Sequence, residues 1–78
     1  MIFGAVLRRY RAAAGLSQEE LAFRAGVDRT FVSRLERGTR QPTITTLLGL
    51  GAALGVAAAA LMKDVEDEYL TKRDARQD

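Results

Sequence analysis

The strongest constraint on this chain lies between residues 16 and 38, where helix-start and helix-stop signals follow one another closely. Ser17 precedes a helical run and Glu20 comes three residues later, the capping-box spacing that satisfies free N–H groups at a helix start. Gly26 supplies the left-handed conformation that ends such a helix. The spacing therefore predicts a helix that begins near Gln18, ends before Gly26 and leads into a tight turn.

A second helix is predicted directly after that turn. Asp28 can cap its start and Gly38 can close its end, so the connection is short and the two helices must cross steeply. At roughly 100° per residue, one arc of this helix carries Phe31, Val32 and Leu35, and the other carries Arg29, Thr30, Ser33, Arg34, Glu36 and Arg37. Arginine, threonine and serine can bond base edges in a DNA major groove, although an ordinary solvated helix face has a similar composition.

Three further helices are predicted outside this segment. The first runs from about Phe3 to Ala14, a fourth is capped by Thr43 and runs to about Leu54, and a fifth begins near Ala57. One face of the fifth helix carries an apolar stripe of Ala58, Leu61, Met62, Val65 and Tyr69. We therefore expect an all-α, compact five-helix domain over residues 1–70, and a polar, frayed C-terminal tail over residues 71–78.

The composition argues against several classes of function. The 78 residues include no cysteine and no histidine, which removes disulfides, zinc fingers and the commonest general base. An acidic run near the end of the chain consists of Asp64, Glu66, Asp67 and Glu68. Sequential carboxylates on a helix point in several directions, so they are expected to be solvated. We expect no catalytic residues, no metal and no cofactor.

Positive charge concentrates in the half of the chain that holds the two linked helices. Residues 1–40 contain eight arginines against four acidic residues, whereas residues 41–78 contain four basic and six acidic residues. The modest net charge of +2 is therefore the sum of a positive charge in the first half and a smaller negative charge in the second. This asymmetry fits a single nucleic-acid-binding face, and it makes Arg8 and Arg9 further candidates for phosphate contact.

From about Leu7 to Leu61, the sequence resembles the lambda-repressor-like helix-turn-helix family of the Cro or Xre type. The matching residues are Gln18, Ala22, Gly26, Val32, Leu35, Glu36, Gly38 and Pro42. Within the family, the segments GLSQEELA, DRTFVSRLERG and QPTITTL are most similar to the small controller proteins of restriction-modification systems. Short repressors and antitoxin-type regulators share much of this pattern. The resemblance implies a transcriptional regulator that binds double-stranded DNA.

The resemblance also implies roles for individual residues. It assigns DNA contacts to Gln18, Arg29, Thr30, Ser33, Arg34, Arg37, Thr39 and Arg40. Arg34 is the strongest candidate for contacting base edges. The second of the two linked helices is the recognition helix of the family, and the residues after it are expected to contact the sugar-phosphate backbone of the DNA. It pairs Arg11 with Glu36 as a structural ion pair. It places a homodimer interface on Leu61, Met62, Val65 and Tyr69, which sets two recognition helices about one DNA turn apart on an inverted repeat. No small-molecule ligand is expected.

Two alternatives stay open from the sequence. The interval between Arg40 and Lys63 has no charged residue and is long enough for a membrane helix, but it contains Pro42, threonines and glycines and is only weakly apolar. The same fold could instead serve as a protein-interaction module, a reading that Phe23 encourages because it falls away from the apolar side of its helix. The N-terminal apolar stretch is too short for a secretion signal, so we expect a cytoplasmic protein.

Overall fold

The computed structural model describes residues 2–77, and it describes the side chains of residues 2–73. Within that range it contains five helices and no strand. The helices are α1 (Ile2–Ala13), α2 (Gln18–Ala25), α3 (Arg29–Arg37), α4 (Ile44–Leu54) and α5 (Ala58–Gln77). The predicted all-α, five-helix architecture is therefore confirmed.

Local sequence explains where α2 and α4 begin. The Ser17 hydroxyl accepts a hydrogen bond from the Glu20 N–H at 3.0 Å, and the Glu20 carboxylate accepts one from the Ser17 N–H at 3.2 Å, which completes the capping box. The Thr43 hydroxyl likewise accepts from the Thr46 N–H at 3.1 Å. Asp28 occupies the N-cap position of α3, but the prediction that its side chain caps the helix is wrong, because that side chain makes no capping hydrogen bond.

Glycines end both helices of the linked pair. Gly26 and Gly38 have φ angles of 71° and 80°, and their N–H groups bond back to carbonyl oxygens of the preceding helical turn. Glycine adopts this left-handed conformation without the steric penalty that other residues meet. The connection between α2 and α3 is therefore short and determined by local chemistry.

The core holds α3 against its neighbours. Helix α3 packs on α1 and α2, α4 packs on α2, and α5 closes the domain against α1 and α4. The buried apolar side chains are Phe3, Val6, Leu7, Leu16, Leu21, Ala22, Val32, Leu35, Leu47, Leu50, Leu54 and Leu61. Because burial of one such large side chain contributes about 1.5–3 kcal/mol, these contacts are the main source of stability in so small a domain.

Polar contacts fix α5 against α1. The Tyr10 hydroxyl donates to Asp64 Oδ2 at 2.6 Å, and Arg9 pairs with Glu68. The hydrogen bond to Asp64 raises the pKa of Tyr10, because it holds the phenolic proton. The prediction that the acidic run is solvated is therefore wrong for Asp64 and Glu68, because both carboxylates bind side chains of α1.

The C-terminal part of α5 extends beyond the predicted domain boundary. The helix continues to Gln77, so residues 71–77 belong to α5 in the structure. Residue 78 lies outside the described residues. The division between a domain that ends at residue 70 and a frayed tail stays a prediction.

No single helix among the described residues has the length and apolar character needed to cross a membrane. By length and composition alone, α4 and residues 58–73 of α5 together would be long and apolar enough, but the chain bends by 110° between them.

Candidate nucleic-acid interface

Helix α3 turns one side into the core and presents the other to solvent. Val32 and Leu35 are completely buried, and this fixes the rotation of the helix about its own axis. The opposite side exposes Arg29, Thr30 and Arg34 and leaves Ser33 half-buried. The structure thus brings together on one surface the four α3 residues that the sequence assigns to DNA contact.

The surface continues past the end of α3. Arg37, Thr39 and Arg40 are exposed there, and both the N–H and the hydroxyl of Thr39 donate to the Arg34 carbonyl oxygen, at 3.0 Å and 3.3 Å. These bonds hold the turn after Gly38 against the last turn of α3. The predicted backbone-gripping residues therefore lie next to the predicted base-reading residues.

Phe31 lies at the edge of this surface, although the sequence places it on the apolar arc of α3 with Val32 and Leu35. Its ring is half-buried and packs against the core. The Arg40 guanidinium carbon lies 5.6 Å from the ring centroid, within the range of a cation–π contact. The ring of Phe31 thus packs against the core and also contacts the Arg40 guanidinium.

The exposed arginines of the surface keep their charge unneutralised. Neither Arg29, Arg34, Arg37 nor Arg40 forms an ion pair with any carboxylate among residues 2–73. Each guanidinium can donate two parallel hydrogen bonds to guanine or to a phosphate. The surface therefore has the chemistry to bind the edges and the backbone of a DNA duplex.

One carboxylate on α3, that of Glu36, faces inward and anchors the helix. Its side chain is 0% exposed. Arg11 Nε and a terminal Arg11 nitrogen donate to its two oxygens at 2.6 Å and 3.1 Å, and Gln18 Nε2 donates at 3.0 Å. The structure thus brings together the predicted ion pair of Arg11 and Glu36, and it adds Gln18 to the pair.

The electrostatics of Glu36 follow from these contacts. Burial alone raises the pKa of its carboxyl group, but the hydrogen bonds from Arg11 and Gln18 outweigh burial and hold that pKa below its ordinary value. The hydrogen bond to Glu36 also raises the pKa of Arg11. Both groups are therefore charged at neutral pH, so the acidic residue on α3 offers little repulsion to an approaching phosphate.

The predicted dimer surface needs a correction at Leu61. That residue is 0% exposed within the chain's own core, so it offers no surface to a partner. Met62 and Tyr69 are 44% and 55% exposed, and Val65 is half-buried. On α4, Ile44 and Leu48 are exposed as well, which sequence reasoning missed because they share the apolar pattern of the buried Leu47.

Ile44 and Met62 line one shallow groove between α4 and α5, together with Pro42 and Val65. We use the name apolar strip for Ile44, Leu48, Met62, Val65 and Tyr69. Exposed apolar surface of this kind on so small a domain is typical of a protein contact.

Phe23 is the most exposed of the large apolar side chains, at 87%. It lies on α2, beside Glu19, Glu20 and Arg24, and no described contact explains it.

Comparison with known proteins agrees with this geometry. The profile of the helix-turn-helix family matches residues 7–61, more than half of the chain and the same interval as the resemblance described above. The crystal structure of the restriction-modification controller protein C.AhdI from Aeromonas hydrophila superimposes with a TM-score of 0.75 at 45% identity, over 77% of this chain and 91% of that one.

Two curated proteins extend the comparison. The uncharacterized helix-turn-helix type transcriptional regulator y4dJ from Sinorhizobium fredii is 39% identical over 66 residues, which cover 85% of this chain and 86% of that protein. The control protein C.BamHI from Bacillus amyloliquefaciens is 36% identical over 63 residues, which cover 80% of this chain and 78% of that protein. The similarity therefore spans most of each protein.

Proposed function

The chain belongs to the helix-turn-helix family and is a DNA-binding transcriptional regulator, and on that premise we propose that it acts as a homodimer on an inverted-repeat operator. The observation that carries the proposal is the orientation of α3. Buried Val32, Leu35 and Glu36 hold one side of this helix, and the opposite side presents unpaired arginines. A helix held in this orientation suits insertion into a major groove.

Among such regulators, we propose the restriction-modification controller type. C.AhdI and C.BamHI, which are named as controllers, are matched over 91% and 78% of their own lengths. Regulation then follows from occupancy of the operator relative to the promoter, with protein concentration as the input. A short repressor or an antitoxin-type regulator is the alternative. We assign the chain no enzymatic role and expect it in the cytoplasm, where the DNA of a bacterial cell lies.

The apolar strip supports a symmetric dimer. Ile44, Leu48, Met62 and Tyr69 expose apolar area on α4 and α5, whereas the arginine surface, formed by Arg29, Arg34, Arg37 and Arg40, belongs to α3 and the turn after it. A two-fold axis through this strip pairs identical surfaces and leaves both copies of α3 accessible. Two recognition helices then read half-sites whose centres lie about 34–36 Å apart.

Binding to the chain's own upstream region tests the DNA-reading role. Equilibrium affinities are measured for a labelled upstream duplex and a scrambled duplex of equal length at several salt concentrations. We expect a preference of about 10³-fold or more for the upstream duplex. Because a bidentate arginine–guanine contact is worth about 1–3 kcal/mol of discrimination, Arg34→Ala should erode that preference by about 5-fold to 150-fold.

The matched control is Arg73→Ala, which removes an exposed arginine from α5 and should leave the preference intact. Equal, weak binding of the wild-type protein to both duplexes would argue against sequence reading at this site. If no genomic fragment binds at all, a protein-interaction module on the same fold becomes the better explanation.

A charge placed in the apolar strip tests the dimer. Met62→Lys should shift the protein from dimer to monomer in sedimentation equilibrium, because it puts an ammonium group where apolar surfaces meet. Loss of the second half-site contact should weaken binding to the full inverted repeat by about 10²-fold or more, while binding to an isolated half-site changes little. Phe23→Lys places the same ammonium group at an exposed apolar position of α2 and should preserve the dimer. A wild-type protein that sediments as a monomer, or a Met62→Lys variant that stays dimeric, contradicts this interface.

A further inference from the structure

The outer part of α5 has few contacts with the rest of the domain. Leu61 is the last side chain of this helix that is buried among residues 58–73. After it, only Asp64, Val65 and Glu68 are partly shielded from solvent within the described side chains, and the others are exposed. The packing of α5 beyond Leu61 therefore depends on one apolar side chain and two carboxylates.

Both carboxylates bind neighbouring residues of α1. The Tyr10 hydroxyl donates to Asp64 Oδ2 at 2.6 Å, and Arg9 forms an ion pair with Glu68. Asp64 and Glu68 are four residues apart, so they lie on one face of α5. We call these four residues the α1–α5 polar contact. Two bonds at successive turns fix both the rotation and the tilt of α5 against α1, because a hydrogen bond weakens when its angle departs from linear.

Helix α1 also holds the recognition helix. Arg11, next to Tyr10 in the chain, donates to Glu36 of α3 at 2.6 Å, and α1 packs along α3 as well as along α5. Residues 9–11 thus connect the helix that carries most of the arginine surface with the helix that carries the end of the apolar strip. A change in the angle between α1 and α5 therefore changes the position of α3 relative to that strip.

The apolar strip adjoins the α1–α5 polar contact along α5. Val65 follows Asp64, and Tyr69 follows Glu68, so each carboxylate of the contact has a residue of the strip as its neighbour. In the proposed homodimer, the strip meets its copy across the two-fold axis. The distance and the angle between the two recognition helices then depend on how α5 is held against α1.

We propose that the α1–α5 polar contact sets the spacing of the half-sites that the homodimer accepts. This role rests on the proposed binding of a homodimer to an inverted repeat. One additional base pair between the half-sites separates them by about 3.4 Å and rotates them by about 34–36°. To follow this displacement, the dimer must strain the bonds that Asp64 and Glu68 accept. The four residues are therefore positioning residues, which determine spacing specificity through the orientation of α5 rather than through a base contact.

Duplexes that differ only in spacer length test this role. Three duplexes carry the same two half-sites, with the spacer of the upstream inverted repeat, one base pair fewer or one base pair more. The wild-type protein should bind the native spacing about 10²-fold more tightly, because each altered duplex engages only one half-site at a time. The combined variant of Tyr10→Phe and Glu68→Gln should lower this ratio by about 10-fold, the equivalent of one charge-assisted hydrogen bond. It should keep the wild-type affinity for an isolated half-site.

Asp67→Asn is the matched control. It removes one carboxylate from α5, as Glu68→Gln does, but the Asp67 side chain pairs with Lys63 of the same helix. This variant should keep the wild-type ratio. Tyr10→Phe alone retains the ring that packs against the core, and it should lower the ratio in the same direction by a smaller factor.

The geometry of the DNA-free dimer gives a second measurement. Because the chain contains no cysteine, Arg24→Cys at an exposed position of α2 carries one spin label per protomer, and α2 packs on α3. The distances between the two labels are measured by pulsed electron paramagnetic resonance. Their distribution should be narrow in the wild-type background and broader with Tyr10→Phe and Glu68→Gln.

An unchanged spacing ratio in the combined variant overturns the spacing role, as does a wild-type protein that binds all three spacings equally. Distance distributions of the same width in both backgrounds also overturn it. Such results leave the proposed function standing if the wild-type protein is dimeric and prefers its upstream duplex. A monomeric wild-type protein, or one without that preference, contradicts the proposed function itself and the spacing role with it.

Discussion

Replacing Glu36 with alanine should lower the free energy of unfolding by about 3–5 kcal/mol, because it leaves the partly buried Arg11 guanidinium without its anion. Arg11 Nε donates to Glu36 at 2.6 Å, and its side chain has little access to water. A domain of this size has a total stability of only about 4–12 kcal/mol. Glu36→Ala should therefore unfold far below the wild-type denaturant midpoint, as measured by circular dichroism in urea.

Two further measurements separate charge from shape. Glu36→Gln keeps the volume and one acceptor oxygen, so it should be less destabilising than Glu36→Ala. In a double-mutant cycle of Arg11→Met and Glu36→Met, the double variant should be more stable than the sum of the single losses predicts, because no charge remains unpaired. Additive losses, or a Glu36→Ala variant within about 0.5 kcal/mol of wild type, would contradict a coupled ion pair.

The stability of the wild-type protein should also respond to acid through Glu36. Its pKa in the folded state lies below the ordinary value of 4.5, because the bonds from Arg11 and Gln18 outweigh the burial of the carboxylate. The stabilisation is therefore complete above the unfolded-state pKa and is lost as the pH falls through the folded-state pKa. In Glu36→Gln, the free energy of unfolding should therefore fall less steeply at acid pH than in the wild-type protein. Near neutral pH, the stability of either protein should change little with pH.

Most of the helical framework could be predicted from sequence, because its signals are local. The capping box at Ser17 and the glycine at position 26 act within a few residues of the helix they bound, so their pattern is legible without tertiary structure. The outward face of α3 followed from the same logic, since the rotation of a helix is set by which residues are apolar. The resemblance to a known family supplied the partner of Glu36, which lies 25 residues away in the chain.

What could not be predicted depends on packing between distant segments. The sequence pattern predicts one apolar surface along α5, yet Leu61 is enclosed by the core while Met62 stays exposed. Only the packing of α5 against α1 and α4 determines which of the two is buried. The two arginines at positions 8 and 9 are likewise identical in sequence but pair with different helices. Periodicity identifies an apolar side chain, but it does not identify what covers it.

The role of Gly4 also becomes visible only from the packing of the helices. It lies on the buried side of α1, where the backbone of this helix approaches the end of α3. A Cβ atom built on Gly4 lies 2.5 Å from the carbonyl oxygens of both Leu35 and Glu36. Both obstacles are backbone atoms of the recognition helix, so neither can rotate away as a side chain would.

Gly4→Ala should therefore destabilise the protein by about 1–3 kcal/mol, the usual range for overpacking, although alanine favours a helix by up to about 1 kcal/mol over glycine. Relief of the contact requires α1 and α3 to move apart, which displaces the arginine surface and should weaken binding to the upstream duplex. Thermal melting and the duplex titration measure the two effects in one preparation. A shift of about 4–8 °C in Tm corresponds to each 1 kcal/mol.

Gly49→Ala is the matched control, since it makes the same change within α4 where the nearest atom to the new Cβ, the Ala25 carbonyl oxygen, is 3.9 Å away. With no clash to oppose helix propensity, this variant should be as stable as wild type or more stable by about 0.5–1 kcal/mol. The two substitutions should thus change Tm in opposite directions. If Gly4→Ala also raises Tm and binds the duplex normally, α1 can accommodate a methyl group, and close approach of the two backbones is not what positions the recognition helix.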